Sequence, residues 1–148
     1  MQTVVHDIAA PLPAGFGLFD HVVTNPPYLA AAAADPSPNR SKALATVESS
    51  ADLARWLEAA TGALKSAGTL LAIHRRDRLE EIARHLVRLG WGKIAVKHLP
   101  PARRVLIRAR RGSVPHRLEA APFTLHRPDG GYTDEAEVVL RHGQPLEF

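Results

Sequence analysis

Residues 19–28 read Phe-Asp-His-Val-Val-Thr-Asn-Pro-Pro-Tyr, FDHVVTNPPY. Phe19 to Thr24 are rich in aromatic and β-branched residues, the composition of a strand packed on a sheet. That strand must stop at Asn25-Pro26-Pro27, because proline has no N–H to give to a ladder. In open α/β sheets, ligands bind just beyond the carboxyl ends of the strands. The stretch therefore predicts both a strand and a site at its end.

Working outward, Gln2 to Ile8 (QTVVHDI) predicts a short buried strand, ended by Asp7 and the turn-rich AAPLPAGFG. Residues 29–47 are Ala-rich and then read Asp-Pro-Ser-Pro-Asn; with no sustained period they predict a mobile substrate loop. Ser49-x-x-Asp52 has the form of a capping box. Leu53, Trp56, Leu57, Ala60, Ala63, Leu64 and Ala67 then recur at helical spacing, predicting an amphipathic helix that stops at Gly68. Thr69 to His74 predicts a third strand. Asp77 with Glu80 predicts the cap of a second helix, burying Leu79, Ile82, Ala83, Leu86 and Leu89 and ending at Gly90.

Lys93 to Leu99 and Arg104 to Arg110 alternate in polarity around Pro100-Pro101-Ala102, which predicts an antiparallel hairpin. Pro122 to His126 predicts a last edge strand, and Thr133 caps a short helix with Asp134 and Glu135 in its first turn. Strand, strand, helix, strand, helix and hairpin make an α/β fold with a central sheet, flanking helices and a C-terminal antiparallel hairpin.

With 148 residues, 45% hydrophobic and 23% charged, the chain has the composition of one globular domain. No apolar run approaches the roughly 20 residues of a membrane span. The start MQTVVHDIAAP lacks the basic flank and apolar stretch of a secretory signal. The absence of Cys excludes disulfides and thiolate metal sites, and it suits a cytoplasmic location. Eight His are scattered without metal-site spacing, so no metal is expected and ordinary surface or sheet roles are. Charge is uneven: residues 74–117 hold 13 Lys/Arg against three acids, net +10, and the remainder holds six against 12, net −6. Such a basic segment is either a solvated face or one that meets a polyanion. Strand alternation places Arg104, Arg108 and Arg110 on one face, where RNA phosphates are a possible partner.

The chemistry available at Asn25-Pro26-Pro27-Tyr28 is that of amine recognition. An exocyclic amine is a poor nucleophile because its lone pair is delocalised into the ring. Two acceptors on its two N–H groups hold it in place and favour a more tetrahedral nitrogen. The Asn25 amide oxygen supplies one, and the Pro26 carbonyl, on a stiff Pro-Pro backbone, supplies the other. Tyr28 offers a face for stacking. Catalysis of this kind is positioning and electrostatics, with no strong base.

FDHVVTNPPY resembles the fourth motif of class I S-adenosylmethionine-dependent amino methyltransferases, which act on adenine N6, guanine N2 or glutamine N5. The resemblance implies that Asn25 and Pro26 bind the target amine, that Tyr28 stacks on it and that Pro27 shapes the loop. It also implies cofactor contacts from Asn25 and from Asp7, the latter toward the adenine amine. The stretches LLAIHRRDRLEEIARHLVRLGWGKIAVKHLPPARRVLIRARRGS and GGYTDEAEVVL are similar to the bacterial tRNA adenine-N6 methyltransferases. The expected function is thus methylation of an exocyclic adenine amine in RNA, with tRNA as partner. Protein glutamine-N5 methylation and a non-catalytic basic RNA-binding module are the alternatives.

That family's sheet order is 3-2-1-4-5-7-6, and its first strand leads into a glycine-rich cofactor loop. Gly15-x-Gly17 precedes a strand, so it is not that loop. The expectation is therefore the C-terminal part of a methyltransferase domain over residues 1–148: an incomplete Rossmann-like sheet with an incomplete S-adenosylmethionine site. One edge of FDHVVT would then be bare. Either residues 2–8 swing over to pair with it, or two chains form a homodimer through that edge or by swapping N-terminal strands.

Overall fold

The computed structural model describes residues 3–27 and 52–148. Strand β1 (Phe19–Thr24) forms as its composition predicts and pairs in parallel with β2 (Leu64–Arg75), ending on the Thr24↔Ala72 pair. The two strands of the hairpin, β3 (Trp91–Leu99) and β4 (Arg104–Arg111), are antiparallel, and β4 docks antiparallel on β2. A short β5 (Arg117–Ala120) adds in parallel to β3, so the sheet order is β1-β2-β4-β3-β5. Its first four strands follow the 4-5-7-6 part of the order given above.

Among the described residues three α-helices cover this sheet: α1 (Leu53–Gly62), α2 (Leu79–Arg88) and α3 (Asp134–His142). One sheet face, with Leu70, Val96, Val105, Ile107 and Ala109, packs on Leu53 and Leu57 of α1 and Ile82 and Leu86 of α2. Burying one such side chain contributes on the order of 1.5–3 kcal/mol, so this layer holds the fold together. The other face is covered only toward one end, where Ala136 and Val139 of α3 and Phe123 meet Leu99, Leu106 and Ile73. Thr133 caps α3 as predicted, accepting from the Ala136 N–H at 3.1 Å. Among the described residues, no helix is long and apolar enough to cross a membrane.

Several expectations are corrected. Residues 3–8 form no strand: Val4 is half exposed and Val5 is 99% exposed. The chain is instead held at the following turn, where the Arg55 guanidinium of α1 donates to the Ala9 carbonyl at 3.1 and 3.0 Å. Residues 3–8 therefore do not repair the bare edge, and among the described residues β1 is an edge strand.

Asp52 is itself the N-cap of α1, accepting from the Arg55 N–H at 2.9 Å, rather than the third residue of a capping box; Ser49 lies outside the described residues. The first helix ends at Gly62, not Gly68. Tertiary partners take its last carbonyls: Arg111 donates to Thr61 and Leu64 oxygens at 2.9 and 2.7 Å, and the Phe19 N–H donates to Ala63 at 2.9 Å. With those groups satisfied from outside, Leu64 starts the strand. Asp77 does not cap α2; it pairs with Arg75 at a short 3-10 turn, Arg76–Arg78. The edge position beside β3 belongs to Arg117–Ala120 rather than Pro122–His126. The later stretch starts on a proline and forms no ladder with β3; its backbone bond to that strand runs from the Phe123 N–H to the His98 carbonyl. Residues 29–47 lie outside the described residues.

The bulge at the start of β3 explains one glycine. A Cβ on Gly92 would lie 2.1 Å from the Ser113 oxygen and 2.3 Å from the Val114 oxygen, both backbone atoms. Gly92→Ala is expected to destabilise the chain by about 1–3 kcal/mol, the usual penalty for overpacking. A urea midpoint equal to that of the parent chain would contradict this.

Candidate active site

The alternation of β1 continues into the motif. Val22 and Thr24 are half-buried, His21 and Val23 are exposed, and then Asn25 is exposed while Pro26 and Pro27 are buried. Asn25 therefore stands at the carboxyl end of β1 on the side of the open sheet face, with its amide in solvent. Beneath it the two prolines are driven into the structure. Tyr28 lies outside the described residues.

Neither proline has an N–H, so this segment cannot be held through donors of its own. A side chain from β2 reaches it instead. The ladder ends at Thr24↔Ala72, and two residues further along β2 is His74. Its imidazole is 1% exposed, and Nε2 lies 3.4 Å from the Pro27 carbonyl. In the sequence His74 is one of eight scattered histidines with no metal-site spacing. The signal was present: it occupies the buried phase of β2, in step with Leu70 and Ala72.

Two acid–arginine pairs lie close to His74 in the chain, Asp77 with Arg75 and Glu81 with Arg78. Arg78 donates to Glu81 at 2.9 and 2.6 Å and holds that carboxyl below its usual range, with a smaller contribution from His74. Asp77 is likewise lowered, first by its hydrogen bond to Arg75 and last by His74. These acids serve structural pairs.

Asp7 is exposed, and one carboxylate oxygen accepts from the Ala9 N–H at 2.9 Å, closing the turn pinned by Arg55. The chain after this turn folds over β1 and α1. A hollow of about 380 Å³ opens there, lined by Ile8, Leu12, Phe16, Thr24 and Trp56 among others. It links the Asp7 turn to the end of β1. A second, larger groove of about 580 Å³ runs along the open face between Val23, Leu71, Lys93, Arg108, Arg110 and Phe148.

The predicted arginine face is present. Arg104, Arg108 and Arg110 project from the exposed side of β4, with Val105, Ile107 and Ala109 buried between them. Arg108 lies 5.2 Å from the centre of the Phe148 ring. Arg111 differs from this set, since its guanidinium is committed to the end of α1. Among the described residues, no group of three or more His, Asp or Glu is arranged to hold a metal ion.

No protein-family model matches the chain, and no curated protein matches it. Among solved structures it is similar to a predicted O-methyltransferase from Agrobacterium tumefaciens, with a TM-score of 0.63 and 23% identity. The match covers 90% of this chain and 59% of the other. The fold is thus methyltransferase-like, and the chain spans less than two thirds of that neighbour's length.

The Arg78–Glu81 pair generates a pH prediction. A carboxyl whose folded pKa is lowered stabilises the fold above its ordinary value of 4.5, and that contribution is lost as pH falls through the lowered folded value. Glu81→Gln is expected to reduce stability at neutral pH and to flatten its decline below pH 4.5. Thermal melts from pH 7 to 3 check this; parallel curves for the two chains would contradict it.

Proposed function

We propose that this chain carries the amine-binding part of an S-adenosylmethionine-dependent N-methyltransferase, acting on an exocyclic adenine amine in RNA, with tRNA as the substrate class. The observation that carries this reading is Asn25, exposed at the carboxyl end of β1 over a buried Pro26–Pro27 unit, in a methyltransferase-like sheet. The neighbouring structure is that of a predicted O-methyltransferase. Two acceptors supplied by adjacent residues, the Asn25 amide oxygen and the Pro26 carbonyl, suit a group with two N–H bonds; a hydroxyl has one proton to offer. Tyr28 is assigned the stacking role and Pro27 the shaping of the loop.

The residues present fit one end of the cofactor. The Asp7 carboxylate accepts hydrogen bonds beside the apolar hollow, as an adenine amine and ring require, and Asn25 borders the same strand end. The methionine end has no such match among the described residues. Gly15 and Gly17 have positive φ, but they precede a strand, and a Cβ at either would meet nothing within 4 Å. When bound, the cofactor supplies an electrophilic methyl group. The chain's own residues hold the amine at a fixed place and polarise its N–H bonds, while burial of the prolines keeps the acceptors from drifting.

Glutamine-N5 methylation would use the same acceptors, since an amide also has two N–H bonds. The exposed Arg104, Arg108 and Arg110, on the side of the sheet where Asn25 stands, favour RNA phosphates over a protein substrate. A non-catalytic RNA-binding module is the reading that remains if cofactor binding is absent, which calorimetry decides.

Transfer of a labelled methyl group to tRNA, with release factor as the comparison, tests the function. Asn25→Ala is expected to abolish transfer while leaving cofactor binding intact, a loss of about 3 kcal/mol or more of transition-state stabilisation. Near-normal turnover in that variant would show the site to be misassigned.

The bare edge supports a homodimer. Among the described residues β1 has no strand on its outer side, and Leu18, Phe19 and Val23 are exposed, Val23 by 75%. Sedimentation at micromolar concentration is expected to give twice the chain mass, and Val23→Lys to return it to the monomer, as charge on an edge strand does. A monomeric parent chain would contradict the dimer.

A further inference from the structure

Two polar or charged side chains are buried among the described residues, His74 and Lys97. Lys97 has a plain structural purpose, its ammonium donating to the Ala121 carbonyl at 2.8 Å. His74 occupies a position that an aliphatic residue would fill well: it follows Leu70 and Ala72 on the core side of β2 and sits opposite Val105. Burying an imidazole there is unfavourable unless its polar atoms are engaged. The group its Nε2 faces is the Pro27 carbonyl, 47 residues away in sequence.

This contact falls at the point where the ladder between β1 and β2 gives out. Past Thr24 the next two motif residues after Asn25 are prolines, and neither can donate to β2. Their carbonyls are the only backbone handles left. We infer that His74 is a positioning residue: its Nε2–H holds the Pro27 carbonyl and, through the stiff Pro26–Pro27 unit, sets the directions of the Pro26 carbonyl and the Asn25 amide. The Nε2–H is present in one neutral tautomer and in the imidazolium, and absent from the Nδ1–H tautomer. The anchoring stands on this geometry alone, whereas its effect on methyl transfer rests on the function proposed above.

The test separates the two. In the ¹⁵N-labelled parent chain, long-range imidazole spectra are expected to show His74 protonated on Nε2; a ring protonated only on Nδ1 would overturn the inference without any variant. His74→Leu removes the donor and keeps the core filled, and His74→Gln keeps a donor in nearly the same place. The Asn25 amide resonance is expected to move and its heteronuclear NOE to fall in the Leu variant, and both to recover in the Gln variant. Equal spectra in parent and Leu chains would overturn the anchor. In the transfer assay, the Leu variant is expected to lower kcat roughly 10–100-fold at unchanged KM for the cofactor, the effect of a misplaced reacting group, with rescue by Gln. A moved Asn25 amide together with no transfer even by the parent chain would uphold the anchor and count against the function alone.

Discussion

Proline has no backbone N–H, and β1 runs into two of them at the point where its neighbour β2 continues. From that constraint follow the end of the strand at Thr24, the exposure of Asn25 and the burial of Pro26 and Pro27. A strand that ended on ordinary residues would go on pairing with β2 and would place its amides in a ladder. Here the backbone acceptors past Thr24 stay outside it, and the motif is tied to the sheet by the His74 side chain instead. The site is therefore only as rigid as the end of β2 beneath it, where the β1 ladder has stopped and β4 goes on pairing through His74↔Val105 and Arg75↔Arg104.

The arginines divide by what they touch. Arg55 grips the Ala9 carbonyl, Arg78 grips Glu81, Arg111 caps α1, and Arg117 joins Glu80 and Glu119. These cations hold loops and helix ends, where hydrogen bonds to a charged donor are worth about 1.5–3 kcal/mol each. Arg104, Arg108 and Arg110 instead share the solvent side of β4. Composition alone shows a basic segment; only its division between internal ties and an outer face gives that charge a direction.

The two sheet faces are treated unequally. Both α1 and α2 lie on one, while the other is closed by α3 and Phe123 over part of its area. The groove of about 580 Å³ and the unpaired edge of β1 adjoin each other on that less covered side. Asn25 belongs to the same side, so its exposed amide and the arginines address a common surface.

Residue order by itself determined the strand at Phe19–Thr24, its stop at the prolines, the β3–β4 hairpin, the Arg104–Arg108–Arg110 face and the Thr133 cap, because each depends on the period or backbone chemistry of a few adjacent residues. Tertiary structure decided the rest. Leu64 leaves the helical pattern because Arg111 and Phe19 take the carbonyls at the end of α1. Residues 3–8 fail as a strand because no neighbour receives their backbone. Arg117–Ala120, an unpromising Arg-Leu-Glu-Ala run, succeeds because β3 offers it an edge. His74 belongs with these. Its place in the buried phase was legible, but its contact with a carbonyl 47 residues away exists only once β1 and β2 lie side by side, since a hydrogen bond is set by distance in space and not along the chain.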